Sequence, residues 1–397
     1  MTRVSAFRHD PAKSVLPTGD HGTFRWSREP VVCGHRRLTF HNRTLDRTLP
    51  VPVSASPAVV PGIGVLLAGD DGHVRFHGRG LDKVYWERRL DSGVYASLVV
   101  DPVRHRVIVA ATSGLITCFD LRGKLVWATS TGLPVYATPA VLPGADLLVV
   151  AAFHARCLAF RMSTGEPVFD LALPEPWHAA YGGTASYRDP YPSPAATDDG
   201  GVIVCCGDHV IAVAGDGTER WRFSAGHDIK ASPVFVGATA EVAVCTVDGN
   251  CLFLDSRCGR LRQTLFLGAK ITASPALSAD VLAVGPQNGT VTGIDVRTHE
   301  PVWRTDQGAP RSYTSFSVLP NGDFIATAER GNVIALRHHD GRFRWESSQV
   351  LGLPDHEPTM DTTPVAAPDG AMYCASYSGD VYEFRFQPAS TEVTSCG

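Results

Sequence analysis

The chain lacks the features that mark a membrane or secreted protein. Its 397 residues contain no apolar run of the roughly 18 residues that a membrane helix needs. The first twenty residues, MTRVSAFRHDPAKSVLPTGD, lack the apolar stretch of a secretory signal. We therefore expect a cytoplasmic protein with no membrane partner.

The sequence also lacks the usual signatures of metal and nucleic-acid sites. The ten cysteines include no CxxC pair and no Cys–His spacing typical of zinc. Most of them lie in strand-like apolar runs, where a thiol packs as a small buried group. A formal net charge of −4 argues against a nucleic-acid binder, which needs a concentrated basic surface. We predict no metal ion, no cofactor and no nucleic-acid partner.

A sustained helical stripe is missing as well, and a repeat takes its place. Eight units each open with a small residue and then Ser or Thr, at intervals of 41, 41, 55, 39, 42, 41 and 48 residues. Short apolar or alternating runs within a unit are separated by turn signals such as Asp248-Gly249, a pattern typical of four short strands. The opening hydroxyl residues are Ser56, Ser97, Thr138, Ser193, Ser232, Ser274, Ser315 and Thr363.

Most units end with an aromatic residue four positions beyond a turn residue. Phe169 and Gln263 take this place in the third and fifth units. Eight four-stranded units of this length predict an all-β fold, an eight-bladed β-propeller with antiparallel blades. The tryptophans at this position are Trp86, Trp127, Trp221, Trp303 and Trp345.

The eighth unit lacks its last strand. GTFRW at 22–26 matches GRFRW at 341–345 at four of five positions, so we predict that the N-terminal strand completes blade eight and closes the ring. The predicted organisation is an N-terminal arm over 1–19, a single propeller over 20–386 and a C-terminal tail over 387–397.

The ends of the units carry a specific motif. CFDLRGKLVW at 118–127 and GIDVRTHEPVW at 293–303 accompany a Ser-Pro start and an Asp-Gly turn. This combination resembles the tryptophan-docking repeats of the pyrroloquinoline-quinone (PQQ) dehydrogenase-like propellers, over about residues 20–386. The resemblance implies the fold. It implies little about activity, because the same repeats also build cofactor-free proteins such as an outer-membrane assembly scaffold.

Residues just upstream of each opening hydroxyl differ between units. Side chains two and four positions upstream lie on one face of the strand that lines the channel, so they should form two stacked rings at one mouth. The first ring is Ser54, Tyr95, Tyr136, Tyr191, Lys230, Thr272, Tyr313 and Asp361. The second ring is Pro52, Gly93, Pro134, Asp189, Asp228, Lys270, Arg311 and Thr359.

The two rings suggest a ligand site at the mouth. Blades one to three offer small, prolyl and tyrosyl groups, whereas blades four to eight offer charges, so we expect a polar or aromatic small molecule or a peptide. The alternative is that the polar groups only bond one another at a hydrated mouth. The predicted ligand-binding residues are Tyr136, Tyr191, Asp189, Lys270, Arg311, Trp177 and His178.

A cofactor-free enzyme is the sharper hypothesis for this mouth. Lysine, tyrosine and carboxylate groups suit proton transfer in an elimination, isomerisation or cyclisation. Desolvation or a like charge at Lys270 would alter the pKa of Lys230. The predicted catalytic residues are Lys230, Tyr313, Asp361, Asp228 and Tyr95.

Three insertions lie between blades and should sit over the same mouth. They span residues 27–54, 170–192 and 346–361, and the middle one holds Trp177 and His178. They could form a lid, or they could be surface loops without function.

Two other functions compete with the enzyme. The first is a non-catalytic scaffold that docks a protein partner through exposed loops such as 27–54, which is favoured by the absence of GxSxG, HExxH and P-loop motifs. The second is a PQQ-dependent dehydrogenase, which needs PQQ, a divalent ion and export. Cys205-Cys206 is similar to the adjacent-cysteine pair of some dehydrogenases of the family, but the surrounding motif is missing.

A metal at Asp355-His356-Glu357 is equally disfavoured, because such a triplet is common by chance.

Overall fold

A computed structural model describes residues 15–16, 22–178, 183–184, 189–306, 310 and 314–389. Over these ranges the chain forms eight four-stranded antiparallel sheets in a ring and two small two-stranded sheets. The predicted eight-bladed β-propeller is confirmed. No helix in the described ranges is long and apolar enough to cross a membrane.

Three strands precede the first complete blade, and each blade then runs outward from the channel in chain order. The N-terminal strands are β1 (Val31–Arg37), β2 (Thr39–Asn42) and β3 (Arg47–Pro50). Blade one is β4 (Ala58–Val60), β5 (Gly64–Ala68), β6 (His73–Gly78) and β7 (Val84–Arg89). Blade two is β8 (Val99–Asp101), β9 (Arg106–Ala110), β10 (Leu115–Asp120) and β11 (Leu125–Ser130). Blade three is β12 (Ala140–Leu142), β13 (Leu147–Ala152), β14 (Arg156–Arg161) and β15 (Pro167–Ala172), with a 3-10 turn at Pro143–Ala145.

A small hairpin separates blades three and four. It consists of β16 (Trp177–His178) and β17 (Gly183–Thr184). Blade four is β18 (Ala195–Ala196), β19 (Val202–Cys206), β20 (His209–Val213) and β21 (Glu219–Ser224). Blade five is β22 (Val234–Val236), β23 (Glu241–Cys245), β24 (Asn250–Asp255) and β25 (Leu261–Phe266).

The remaining blades follow the same order. Blade six is β26 (Ala276–Ser278), β27 (Val281–Val284), β28 (Val291–Asp295) and β29 (Glu300–Thr305). Blade seven is β30 (Ser317–Val318), β31 (Phe324–Thr327), β32 (Val333–Leu336) and β33 (Phe343–Glu346), followed by the short helix α1 (Ser347–Leu351). Blade eight is β34 (Val365–Ala366), β35 (Ala371–Ala375), β36 (Asp380–Arg385) and β1.

Burial follows position within the blade. The middle strands are covered by a neighbouring blade on each face. Every residue is therefore buried in β5, β13 and β19. In the outer strand β11 only Trp127 is buried. The core is therefore a set of layers between blades, and each layer depends on the contact between one blade and the next.

The opening Ser and Thr residues tie the innermost strands together. The backbone N–H of one unit's hydroxyl residue donates to the side-chain oxygen of the next unit's hydroxyl residue, at 2.9–3.0 Å. Between blades six and seven a parallel bridge from Ser274 to Ser315 replaces this bond. The recurring hydroxyl residue thus has a direct cause at five junctions, since its side-chain oxygen satisfies a buried amide of the preceding unit. The pairs joined through side chains are Ser97–Thr138, Thr138–Ser193, Ser193–Ser232, Ser232–Ser274 and Ser315–Thr363.

The aromatic residues of the outer strands join the blades further out. Trp127 lies against Gly165 of blade three, and its Nε1 donates to the Met162 carbonyl at 3.0 Å. In each blade where an aromatic ring docks in this way, the glycine beneath the ring has a positive φ and leaves no room for a Cβ. The equivalent bonds run from Trp86 to Leu121, from Trp221 to Ser256 and from Trp303 to His338.

The contact between blades five and six is reversed. Gln263 is exposed at the position where other blades carry the aromatic residue. In blade six His299, with a φ of +58°, stands where other blades have the glycine. The His299 ring packs on Phe253 of blade five at 4.5 Å between centroids, and its Nε2 contacts the buried Glu241 carboxylate at 2.9 Å. A side chain from the later blade therefore fills the space that a tryptophan fills elsewhere.

The N-terminal strand completes blade eight, as predicted, but the segment differs from the expected one. The closing strand is β1, which pairs antiparallel with β36, whereas residues 22–26 do not form a strand. Trp26 instead packs on Phe386 at 4.7 Å between ring centroids. Residues 27–54, predicted to be a loop insertion, thus contain the closing strand and the hairpin of β2 and β3.

A close backbone contact distinguishes the junction that β1 makes with blade one. Gly34 lies opposite Glu383 in β36, the position held by the docking aromatic in other blades. A Cβ on Gly34 would lie 2.6 Å from the Gly80 carbonyl oxygen of blade one, so no side chain fits there. The fully buried Glu383 carboxylate accepts a hydrogen bond from the Gly80 N–H at 2.7 Å instead. Blades eight and one therefore meet through backbone and a carboxylate, at a separation that leaves no space for a docking aromatic residue.

His77 gives this closing junction a predicted sensitivity to acid. The residue has no exposed surface, and its Nδ1 donates to the Leu81 carbonyl at 3.2 Å. Burial lowers the pKa of His77 from 6.5 to about 4. As the pH falls, the unfolded chain therefore takes up this proton at a higher pH than the folded chain does. The contribution of neutral His77 to the free energy of unfolding is fully present above pH 6.5 and is lost as the pH falls towards 4.

We expect acidification from pH 7 to pH 4 to cost the wild type on the order of 3 kcal/mol more than it costs His77→Asn. The asparagine amide retains a donor near Leu81 and does not titrate. Urea unfolding at several pH values measures the difference. Parallel stability curves for the two proteins would show that His77 is protonated as easily in the folded state as in the unfolded state.

Candidate functional site

The predicted rings lie where the chain enters the innermost strand of each blade. Backbone carbonyls of five second-ring residues accept hydrogen bonds from N–H groups just after the second strand of the same blade, so these positions share one end of the propeller. The bonds join Pro52 to Asp70, Gly93 to Thr112, Pro134 to Phe153, Asp228 to Val247 and Lys270 to Gln287, at 2.8–2.9 Å.

Blades two to four form an aromatic arc at this mouth. Tyr95 and Tyr136 lie 5.3 Å apart between ring centroids, and Phe153 stacks on Tyr136 at 4.8 Å. Phe153 also meets the Tyr191 ring edge to face at 5.2 Å. Sequence analysis missed Phe153, although it follows β13 at the place where blade one has Asp70 and blade two has Thr112. The tyrosines predicted to bind a ligand therefore pack on one another, through a residue that links blades three and four.

Lys230 continues this arc. Its Nζ lies 3.1 Å from Asp189 Oδ1, 3.8 Å from Asp228 Oδ2 and 5.1 Å from the centroid of the Tyr191 ring. Burial acts to lower the pKa of Lys230, but the carboxylates of Asp189 and Asp228 outweigh it and hold the pKa above its ordinary value of 10.5. The ammonium group is therefore protonated at neutral pH and does not supply a general base.

Other mouth residues bond within their own blade. The Ser54 hydroxyl donates to Asp70 at 3.1 Å, and the Gln287 amide donates to Thr272 at 2.9 Å. Asp361 is buried and accepts a hydrogen bond from the Tyr377 N–H at 2.7 Å.

The rest of the predicted set is only partly placed. Lys270 is exposed. Tyr313 and Arg311 lie outside the described residues, and for Trp177 and His178 only the backbone of β16 is described. The structure thus brings together Lys230, Asp189, Asp228 and the tyrosine arc, while the catalytic and ligand-binding roles of the set stay predictions.

A second surface stands beside the mouth, on the hairpin of β2 and β3. The Asn42 side chain accepts the N–H groups of Thr44 and Leu45, each at 3.0 Å, and so shapes the tip. Leu45 is 54% exposed there, between the exposed side chains of Arg43 and Arg47. Residues 25–50 carry six arginines against two acidic residues, although the whole chain has a net charge of −4. This segment, which we call the basic hairpin surface, concentrates positive charge on an acidic protein.

A cleft of about 610 Å³ lies at the base of the basic hairpin surface. In its wall Asp380 accepts hydrogen bonds from His35 at 2.8 Å and from Arg37 at 2.8 Å, and the His35 ring stacks on Tyr382 at 4.4 Å. These contacts hold the strand that bears the hairpin against blade eight. The hairpin is therefore presented from a rigid base rather than from a loose loop.

Comparison with known proteins agrees with this architecture. A family profile described as "Outer membrane protein assembly factor BamB" matches residues 206–395. BamB of Burkholderia pseudomallei is 24% identical over 351 residues, which cover 84% of this chain and 84% of that protein. The crystal structure of BamB from Moraxella catarrhalis has a TM-score of 0.67 at 16% identity and covers 90% of this chain and all of that one. The C-terminal WD40 domain of Sif2 has a TM-score of 0.67 at 9% identity, covering 88% and 99% of the two chains.

The repeats, the fold and these matches fit a PQQ-like β-propeller superfamily. The resemblance drawn from the repeats is thereby confirmed, and the likeness to Sif2 shows that the same architecture occurs in WD40 propellers. The predicted cytoplasmic location is wrong, because the matched profile and relatives are outer membrane protein assembly factors. That prediction depended on the polar composition of the first twenty residues and took no account of where propellers with these repeats act.

Proposed function

We propose that this PQQ-like propeller is a non-catalytic scaffold that docks a protein partner in outer membrane protein assembly. The observation that carries the proposal is the match to outer membrane protein assembly factors, which extends over 84% of the chain in the Burkholderia relative. The proposed role makes the ring a rigid platform, whose loops contact the partner while the blades keep those loops in place.

The mouth chemistry supports a scaffold better than an enzyme. Lys230 is held as a cation by Asp189 and Asp228, and the tyrosines of the arc pack on each other and on Phe153. A proton-transfer site needs a group that changes protonation near working pH, and Lys230 does not. These contacts connect blade to blade, which is a structural task.

The basic hairpin surface is the docking surface we propose. Arg43 and Arg47 are exposed on either side of Leu45, an arrangement that suits a partner with an acidic surface around a small apolar recess. Arginine is also the charged residue most enriched at protein interfaces, because its planar group binds carboxylates in a bidentate manner. The proposed partner is therefore an acidic protein of the assembly machinery.

Reversing the charge of the hairpin tests this proposal. The full chain with a purification tag is used to recover assembly proteins from a detergent-solubilised outer-membrane fraction, and the recovered proteins are quantified by mass spectrometry. We expect Arg43→Glu combined with Arg47→Glu to reduce recovery of the partner about tenfold, since rim charges control association and wrong-sign contacts are repulsive.

Lys230→Met is the matched control, because it removes a charge at the mouth and leaves the hairpin unchanged. We expect its partner recovery to equal that of the wild type. Loss of recovery in Lys230→Met with full recovery in the double glutamate variant would place the partner at the channel mouth. A small molecule retained by the wild type in a native mass spectrum, and lost in Lys230→Met, would replace the scaffold with a ligand-binding function.

A further inference from the structure

Two cysteines of blade five face each other across neighbouring strands. Cys245 in β23 and Cys251 in β24 are direct partners in the antiparallel register. Both are fully buried in the same apolar cluster, which lies between blades five and six. At the adjacent position the Thr246 N–H donates to the Asn250 carbonyl at 2.9 Å. Because hydrogen-bonded and non-hydrogen-bonded pairs alternate along an antiparallel ladder, the cysteines occupy a non-hydrogen-bonded pair.

This position brings side chains close together. The Cα atoms of a non-hydrogen-bonded pair lie about 4.5 Å apart, which is inside the range that a disulfide spans without moving the backbone. The two thiols interact directly, and their hydrogen bond together with burial raises the pKa of Cys245 well above its ordinary value. In the folded ring these two buried thiols are consequently unreactive, so a bond between them has to form while blade five is still opening and closing during folding.

We propose that Cys245 and Cys251 form a disulfide within blade five when the chain folds in the presence of a thiol–disulfide oxidant. One thiolate attacks a sulfur of the oxidant's disulfide and expels its other sulfur as a thiolate. The second cysteine thiolate then attacks the mixed disulfide and releases the reduced oxidant. The two cysteines lose two protons and two electrons, and the oxidant's disulfide becomes two thiols.

The proposed bond has a structural consequence in this particular blade. Blade five has Gln263 in place of the docking aromatic, so its outer strand contributes less to the contact with blade six. A disulfide between β23 and β24 would restrain the two middle strands of the same blade. The inference does not depend on the docking function, because it concerns only the cysteine pair and the folding conditions.

Peptide mapping tests the bond directly. The full chain is reduced, unfolded, and refolded in a mixture of reduced and oxidised glutathione, then treated with N-ethylmaleimide in denaturant and digested with trypsin. Residues 231–257 form one tryptic peptide that contains both cysteines. In most molecules we expect this peptide to carry no maleimide and to be lighter than its reduced form by two hydrogen atoms.

The adjacent pair Cys205-Cys206 is the internal control. The two side chains belong to different clusters on opposite faces of blade four, so both should be alkylated after the same treatment. A Cys251→Ala variant should carry one maleimide on the 231–257 peptide and unfold a few degrees below the oxidised wild type. Two maleimides on the wild-type peptide, or a bond from either cysteine to a different one, would overturn the proposal, whether or not the variant folds.

Discussion

Replacing Trp127 with alanine is expected to lower the free energy of unfolding by about 4 kcal/mol. The indole is 8% exposed, fills the space above Gly165 and packs within the apolar layer between blades two and three. Its removal creates a cavity and deprives the Met162 carbonyl of the Nε1 hydrogen bond at 3.0 Å. Urea unfolding followed by circular dichroism measures the loss.

Gln263→Ala is the matched control, because it changes the same position in blade five. Gln263 is exposed, and His299 fills the inter-blade space there, so we expect a change within about 0.5 kcal/mol. Equal losses in the two variants would mean that the outer-strand position acts through its strand and not through the ring docked on the next blade.

Gly34→Ala is expected to lower the free energy of unfolding by about 2 to 3 kcal/mol. The added Cβ would stand 2.6 Å from the Gly80 carbonyl oxygen and 2.7 Å from the carbonyl carbon. Both atoms belong to backbone, so relief requires β1 or the turn of blade one to shift. That shift would also lengthen the hydrogen bond from the Gly80 N–H to the buried Glu383 carboxylate. Thermal and urea unfolding of the full chain measure the effect.

Gly144→Ala provides the control for this second substitution. A Cβ on Gly144 meets no heavy atom within 4 Å, so we expect stability close to that of the wild type. Wild-type stability in Gly34→Ala would show that blades eight and one are held apart more widely than the contact between Gly34 and Gly80 indicates.

The pair Gln263 and His299 shows how far the repeat could be read from the sequence. Both residues are visible as departures from the tryptophan and glycine of the other units, and each alone reads as a weakened contact. Only the folded structure shows that they compensate, because His299 enters blade five and reaches Phe253 and Glu241. A residue's partner across a blade interface lies tens of residues away, and no local pattern records it.

The mouth illustrates the same limit. The spacing upstream of each opening hydroxyl predicted the two rings, and the structure places these positions at one end of the propeller, in the segment before each innermost strand. The spacing did not predict that Lys230 pairs with Asp189 of the preceding blade, nor that Phe153 joins Tyr136 to Tyr191. These contacts decide that Lys230 is a stable cation, which changes the preferred function from proton transfer to docking.

The sequence by itself determined the eight blades and their four strands, because each unit is a local meander whose turns and apolar runs recur at a regular interval. It also indicated that the N-terminus closes the ring. The tertiary structure decided which strand does so: β1 pairs with β36, and its Gly34 approaches Gly80 of blade one too closely for any side chain. Closure depends on the shape of the neighbouring blade, and that shape exists only once the ring has folded.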